Sequence, residues 1–427
     1  MVSDRKAQFI QVYRDLNLFP LSKAEQIEKF QVKYGQDELR TLHDAIDASE
    51  ANGKLIFTGH RGSGKSTLLV QLADQMREAG LYVARFSIAD MVEMSDVNHI
   101  NILYSIALKL LSQATKRQMP IPEGTKNALI NWFTQTRSRE YTDQLKRELG
   151  IGVDFYGLFS GKLQQEGAFR EIIRETYERR VSELSQQIDR IAATIQTTTG
   201  KEVLVIIDDL DKLDLEVVRP IFQDNIKALF SPEIRVVFTI PVAVIREPRL
   251  LATLDTNSTV ITLSVKKFYS RKDVRRADAV PIEANVETLQ RLLEKRIPED
   301  LIEPEIKREI VLLSGGVLRE LVRIAQECCR ICMAKIDPEL KDQVVKINAD
   351  ILEEAVKNLR NQFARTLGSN LLELLKTTYE NFAPPNAKSS EFLELLHSLY
   401  VLEYENDDLW YDLHPLVADI LRRRQLI

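Results

Sequence analysis

The stretch "GHRGSGKS", Gly59 to Ser66, constrains this chain more than any other. It fits G-x-x-x-x-G-K-[ST], with the apolar "LIF" before it and the amphipathic "STLLVQLADQMREAG" after it. A strand that turns through such a loop into a helix makes a phosphate cradle. Glycines let the backbone N–H groups converge on phosphate oxygens without obstruction, and the helix N-terminus adds a favourable dipole. The candidate nucleotide-binding residues are therefore Gly59, His60, Arg61, Gly62, Ser63, Gly64, Lys65, Ser66 and Thr67. Lys65 is placed to reach the β- and γ-phosphates, and the Ser66 hydroxyl to ligate Mg²⁺. The correct flanks argue against a chance match.

A second stretch, "KEVLVIIDDLDKLD", supplies acids. Val203 to Ile207 have the unbroken apolar character of a buried parallel strand. Asp208 at its end is suited to hold Mg²⁺ through water, and Asp209 to polarise an attacking water. Asp209 and Asp211 also suit a turn cap or a pairing with Lys212. A second acid at this position leans toward water as acceptor, hence hydrolysis, and away from a small-molecule kinase.

Further strands are expected in "LYVARFSI", "IRVVFTI" and "STVITLSV", alternating with helical segments. That order predicts an α/β fold: a parallel sheet covered on both faces, with a helical insertion at about 120–200. In the insertion, "AFREIIRETYERRVSELSQQIDRIAATIQ" carries Ile172, Ile173, Tyr177, Val181, Leu184, Ile188 and Ile191 at helical spacing. One long amphipathic helix is expected there, whose apolar face needs either its own insertion or another subunit. The glycine-punctuated "GIGVDFYGLFSGKL" suits a buried connector or a docking element.

Composition narrows the setting. With 427 residues, 44% apolar and 28% charged, the chain is an ordinary helix-rich one. A net charge of −5 gives no general attraction to nucleic acid or to an anionic membrane. The start, "MVSDRKAQFIQVYRDL", has no signal-like apolar run, and no stretch approaches a membrane span, so a cytoplasmic protein is expected. Cys328, Cys329 and Cys332 in "CCRIC" fall short of the four ligands of a structural zinc and suit a buried helix face.

The C-terminal eighty or so residues depart from a bare nucleotide-binding domain. "SSEFLELLHSLYVLEYENDDLWYDLHPLVADIL" predicts helix, strand, turn, strand, helix, with Leu393, Leu395, Leu396 and Leu399 on the first helix. This resembles a winged helix. From Gly368 onward five Lys and Arg stand against ten Asp and Glu, and the first helix carries Glu391 and Glu394 without a cation. A duplex-binding wing needs cations to neutralise phosphates, so this one is expected to pack on protein.

The ordered set "GHRGSGKST", "VLVIIDDLD", "VVFTI", "GGVLREL" and "WYDLHPLV" resembles the AAA+ and STAND NTPases. The resemblance implies ATP or ADP with Mg²⁺ as cofactors, with Asp208 as the Walker B acid. It implies further that Thr239 senses the γ-phosphate and that Arg319, aimed by Gly315 and Gly316, folds a helical lid over the phosphates. Arg246 and Arg249 lie where such proteins keep an arginine finger. His414 matches a histidine that contacts the ADP β-phosphate, although Leu413 and Pro415 replace the usual neighbours. The implied domains are a helical linker at 1–50, the ATPase core at 51–265, a lid at 266–345 and a winged helix at 346–427. The implied function is a slowly hydrolysing ATP switch in signalling or antiviral defence. It would engage a protein partner or self-associate through the insertion or the wing. A DNA-associated regulator of the origin-recognition or transposition type, gripping DNA through Lys266–Arg276 or the insertion, is the alternative.

Overall fold

Five apolar strands organise the first half of the chain: β1 (Lys54–Gly59), β2 (Tyr82–Ser87), β3 (Val203–Asp208), β4 (Arg235–Pro241) and β5 (Thr259–Leu263). They form one parallel sheet in the order β2-β3-β4-β1-β5. Every residue of β1, β3 and β4 is buried, as central strands covered on both faces require. β5, at an edge, alternates in burial. β4 stands between β1 and β3, so the strand leading to the glycine loop and the strand ending in acids are not neighbours. Register pairs Ser87 with Asp208 and Ile207 with Phe238. The α/β fold expected from the alternation of strands and helices is the one present.

In this computed structural model, residues 4–18, 20–21, 24–117, 123–135, 139–148, 155–337, 344–405 and 408–427 are described. The chain divides into two compact units that cut across chain order. The first comprises residues 37–58 and 68–261; the second gathers residues 1–36, 59–67 and 262–427.

Buried polar groups lock the first unit's sheet. Lys54 Nζ donates to the carbonyls of Pro232 and Ile234, both at 2.9 Å, and Thr58 Oγ1 donates to Ile240 O at 2.8 Å. The insertion between β2 and β3 differs from expectation. Its long amphipathic run is two helices, Gly167–Tyr177 and Val181–Thr199, interrupted at 178–180. Each helix buries its own apolar face. Ile173, Tyr177, Leu184, Ile188 and Ile191 are all buried, against the long helix His99–Lys116 among others. Around Tyr104 an aromatic cluster forms, with Phe133 at 5.0 Å edge-on and Trp132 on Tyr177 at 4.8 Å. The apolar face thus has its partner within its own unit. The glycine-punctuated connector is a helix from Phe155 to Gln165 that buries Phe159 and Leu163; its beginning, at 150–154, lies outside the described residues.

In the second unit a hairpin, β6 (Val401–Glu405) and β7 (Leu409–Leu413), is flanked by helices Ser390–His397 and Pro415–Arg423. The strands pair antiparallel, with Tyr404 opposite Trp410 and their rings stacked at 4.8 Å. The predicted turn residues Asn406 and Asp407 lie outside the described residues. Leu399 is not on the preceding helix, which ends at His397. It takes a left-handed backbone (φ 65°) and drops into a cluster with Val265, Val317, Leu402, Tyr404 and Trp410. The N-terminal residues join this unit. Helix Asp4–Asp15 packs on helix Leu318–Lys335, and Arg296 donates to Phe30 O at 3.2 Å. Cys328, Cys329 and Cys332 are buried on the Leu318 helix, and burial pushes the Cys332 thiol up to about 12. Native protein should therefore resist alkylation at pH 8 and react only when unfolded. Rapid native labelling of these thiols, followed by mass spectrometry, would contradict this placement.

Candidate functional site

The glycine loop takes a phosphate-cradling form from its own backbone. β1 ends at Gly59 and the following helix begins at Lys65. Gly62 and Gly64 adopt φ of 81° and 102°, a region that residues with a Cβ rarely occupy. Space makes the same demand at Gly62, where an added Cβ would lie 2.3 Å from Arg319 Cβ. Lys65 Nζ donates to Gly59 O at 2.9 Å and to His60 O at 2.8 Å, folding the ammonium back onto the loop. Ser63 Oγ and Arg61 Nε are shut from solvent without a hydrogen-bond partner. Positive-φ glycines, a lysine held within the loop and orphaned donors fit a nucleotide's phosphates.

His60 does something its position in the motif does not announce. Its Nε2 accepts the backbone N–H of Glu403 in β6 at 2.7 Å. The phosphate loop and the C-terminal hairpin are thus directly hydrogen-bonded within one unit. The hairpin is also seated on the glycine pair before Arg319. Tyr404 Oη donates to Gly315 O at 3.0 Å, and a Cβ on Gly315 would lie 2.6 Å from Leu402 Cδ1. Arg319 falls in the first turn of helix Leu318–Lys335, as expected, and its backbone N–H donates to Gly62 O at 3.0 Å. Burial, with Arg61 next, lowers the Arg319 pKa from the usual guanidinium value.

In the first unit, Asp208, Asp209 and Asp211 bring carboxylate oxygens within 4.8 Å of one another. Burial, then the charges of Asp209 and Asp211, pushes the Asp208 pKa up to about 6. Crowded acids of this kind suit a divalent cation, with Asp208 as its holder. Arg85, unnoticed in the sequence, places Nη1 4.0 Å from Asp208 Oδ2. Asp209 is left-handed (φ 70°); it accepts from Ser87 Oγ at 2.6 Å and is ion-paired with Lys212. Thr239 is fully buried on β4; its hydroxyl accepts from Leu210 N at 3.0 Å and donates to Ile207 O at 3.3 Å. It ties the acid-bearing turn to its neighbour strand. Arg246 follows a short helix that ends at Ile245; the Arg249 side chain lies outside the described residues.

His414 is fully buried where β7 meets helix Pro415–Arg423. Its Nδ1 accepts from Leu416 N at 3.2 Å as the helix cap, and its ring lies 5.1 Å from that of Phe363. Nε2 stands 3.8 Å from Glu320 Oε2, an ion pair only if the imidazole is protonated. Burial, then Arg323, pulls the pKa down to about 3, so the imidazole is neutral with its proton on Nε2. Two of the six cations in the basic run are ion-paired within the protein. Arg275 pairs with Asp412 at 3.0 Å and lies 3.5 Å over the Tyr379 ring; Arg276 pairs with Asp278 at 2.8 Å. Among the described residues no helix is long and apolar enough to cross a membrane.

Strand order, glycine loop and acid turn define a P-loop nucleotide-binding class. Residues 34–221 match the family model of the AAA ATPase domain, and this part of the chain is an AAA+-like P-loop domain. No match was found among curated proteins. Similar solved structures include a Walker-type ATPase of Pyrococcus abyssi, at 15% identity and TM-score 0.46, covering 96% of this chain and 99% of that one. The Orc1 protein of Aeropyrum pernix, solved in complex with DNA, is 13% identical at TM-score 0.39, covering 97% of each chain. A RuvB variant of Thermotoga maritima is 13% identical at TM-score 0.38, covering 96% and 99%. Similarity at this level fixes neither reaction nor partner.

Proposed function

We propose that the chain is a Mg²⁺-dependent, ATP-binding and slowly ATP-hydrolysing switch whose nucleotide state sets the attachment of the C-terminal helix–hairpin–helix. The observation that carries this reading is the bond from Glu403 N–H to His60. The same His60 offers its carbonyl to Lys65 Nζ and its imidazole to the hairpin. Phosphate binding draws Lys65 away from that carbonyl, and the shift in His60 is felt at β6. Asp208 would hold the metal, and Asp209 would orient water once it releases Ser87 or Lys212. Arg319 reports the terminal phosphate, and Thr239 steadies the turn that carries the acids.

Released from the loop, the acidic winged-helix-like segment offers its surface to a protein partner or a second copy. Phosphate-gripping by Lys266–Arg276 is weakened by the pairs that occupy Arg275 and Arg276. Hydrogen exchange at the Glu403 amide is the direct test. A non-hydrolysable ATP analogue should speed it at least tenfold over ADP or no nucleotide, because the acceptor is lost. Exchange indifferent to nucleotide would end the switch reading. A tight, salt-sensitive duplex complex of the full chain would favour the DNA-associated alternative. His60→Ala should mimic release. It strands a buried N–H at a cost of about 1–3 kcal/mol, so Glu403 should exchange fast in every nucleotide state.

A further inference from the structure

The phosphate loop and the start of the Leu318–Lys335 helix present two guanidinium groups that, among the described residues, have no ion-pair partner; of nearby anions Arg319 feels only the field of Glu320. Arg61 lies in the loop, with Nε shut from solvent and without a partner. Arg319 is seated on the next residue: its N–H bonds to Gly62 O at 3.0 Å, and a Cβ at Gly62 would lie 2.9 Å from Arg319 Cδ. Its aliphatic stem therefore runs along the loop. Glu320, the adjacent carboxylate, is taken by Arg323 at 3.0 Å. Among the described residues neither Arg61 nor Arg319 has an ion pair or a side-chain hydrogen bond, while Arg323, Arg275 and Arg360 in the same unit are all paired.

We propose that Arg61 is a specificity-determining residue that, with Arg319, grips the terminal phosphate of a bound nucleoside triphosphate and so sets the preference for triphosphate over diphosphate. The proposal rests on the nucleotide reading above. Two partly buried like charges repel unless an anion joins them. A terminal phosphate carries several negative oxygens, enough to accept from both planar forks. The inner phosphates have their own donors in the loop's N–H groups, Lys65 and the helix N-terminus. What remains for two guanidiniums without an ion pair is the group that arrives with ATP and leaves on hydrolysis.

The test is calorimetric titration of the full chain with a non-hydrolysable ATP analogue and with ADP, both with Mg²⁺. Arg61→Gln should weaken the triphosphate about 10- to 100-fold and change ADP less than about threefold. Lys65→Ala should weaken both. In the nucleotide-free protein, Arg61→Gln should leave the melting temperature unchanged or raise it, because a repulsion is removed. Parallel loss of both nucleotides with a lower melting temperature would make Arg61 loop support and overturn the proposal, as would unchanged affinity for both. Wild type that binds neither nucleotide would overturn the nucleotide reading and this proposal together.

Discussion

Lys65→Ala is expected to abolish tight ATP binding, whereas Asp209→Asn keeps binding and loses turnover. Lys65 is the loop's own cation, buried, with Nζ bonded to Gly59 O and His60 O. A charge-assisted bond from it to phosphate is worth about 1.5–3 kcal/mol. Two such bonds make a loss of a hundredfold or more in affinity the natural expectation. In the proposed mechanism Asp209 would act on water in the transition state, so its loss is expected to fall on rate. Asparagine is a clean replacement because it tolerates the left-handed backbone at φ 70° and can still accept from Ser87. Nucleotide titration beside single-turnover hydrolysis separates the two roles. Equal loss of binding in both variants would contradict the assignment.

Acid is expected to destabilise the C-terminal unit through His414. Its folded pKa of about 3 lies below the unfolded value of 6.5. The unfolded chain therefore takes up a proton below pH 6.5 that the fold refuses. Stability is full above 6.5 and falls by about 1.4 kcal/mol per pH unit as pH drops toward 3. His414→Asn keeps an acceptor for Leu416 N–H and cannot titrate in this range. It should lower stability at pH 7.5 by about 1–3 kcal/mol through lost packing on Phe363, yet flatten the decline toward pH 5. Asp208 works in the opposite sense, since a carboxyl raised to about 6 gains stability as pH falls, so the variant-minus-wild-type difference isolates His414. Urea unfolding at both pH values supplies it; identical slopes would show that His414 is not the acid-sensitive group. The ADP off-rate decides the second role that the family resemblance implies. An off-rate raised about tenfold in the variant supports nucleotide contact, and an unchanged one leaves a structural cap.

The central strands were legible because their chemistry is local. A run such as Val203–Ile207 can only be satisfied by burial on both faces, and the acids at its end are contiguous with it. The glycine loop was legible for a similar reason, as positive φ at Gly62 and Gly64 needs glycine whatever surrounds it. Hairpin and flanking helices were visible in alternation and turn residues. The long insertion helix was misjudged because periodicity continues across a short break. A break at 178–180 leaves the spacing of apolar residues nearly intact, so periodicity does not register it.

By itself, then, the sequence determined the parallel α/β core, the phosphate loop, the acid turn and the helix start that carries Arg319. Only the tertiary structure decided what those elements touch. His60 was one loop residue among several until a hairpin 343 residues away donated its N–H to it. Arg61 gained its meaning from Arg319 across Gly62, and the N-terminal helices joined the C-terminal unit although the chain order separates them. Backbone conformation and burial leave a local signature in residue type and spacing. Which distant groups share a hydrogen bond or face each other's charge depends on how helices and strands pack, and no local pattern records it.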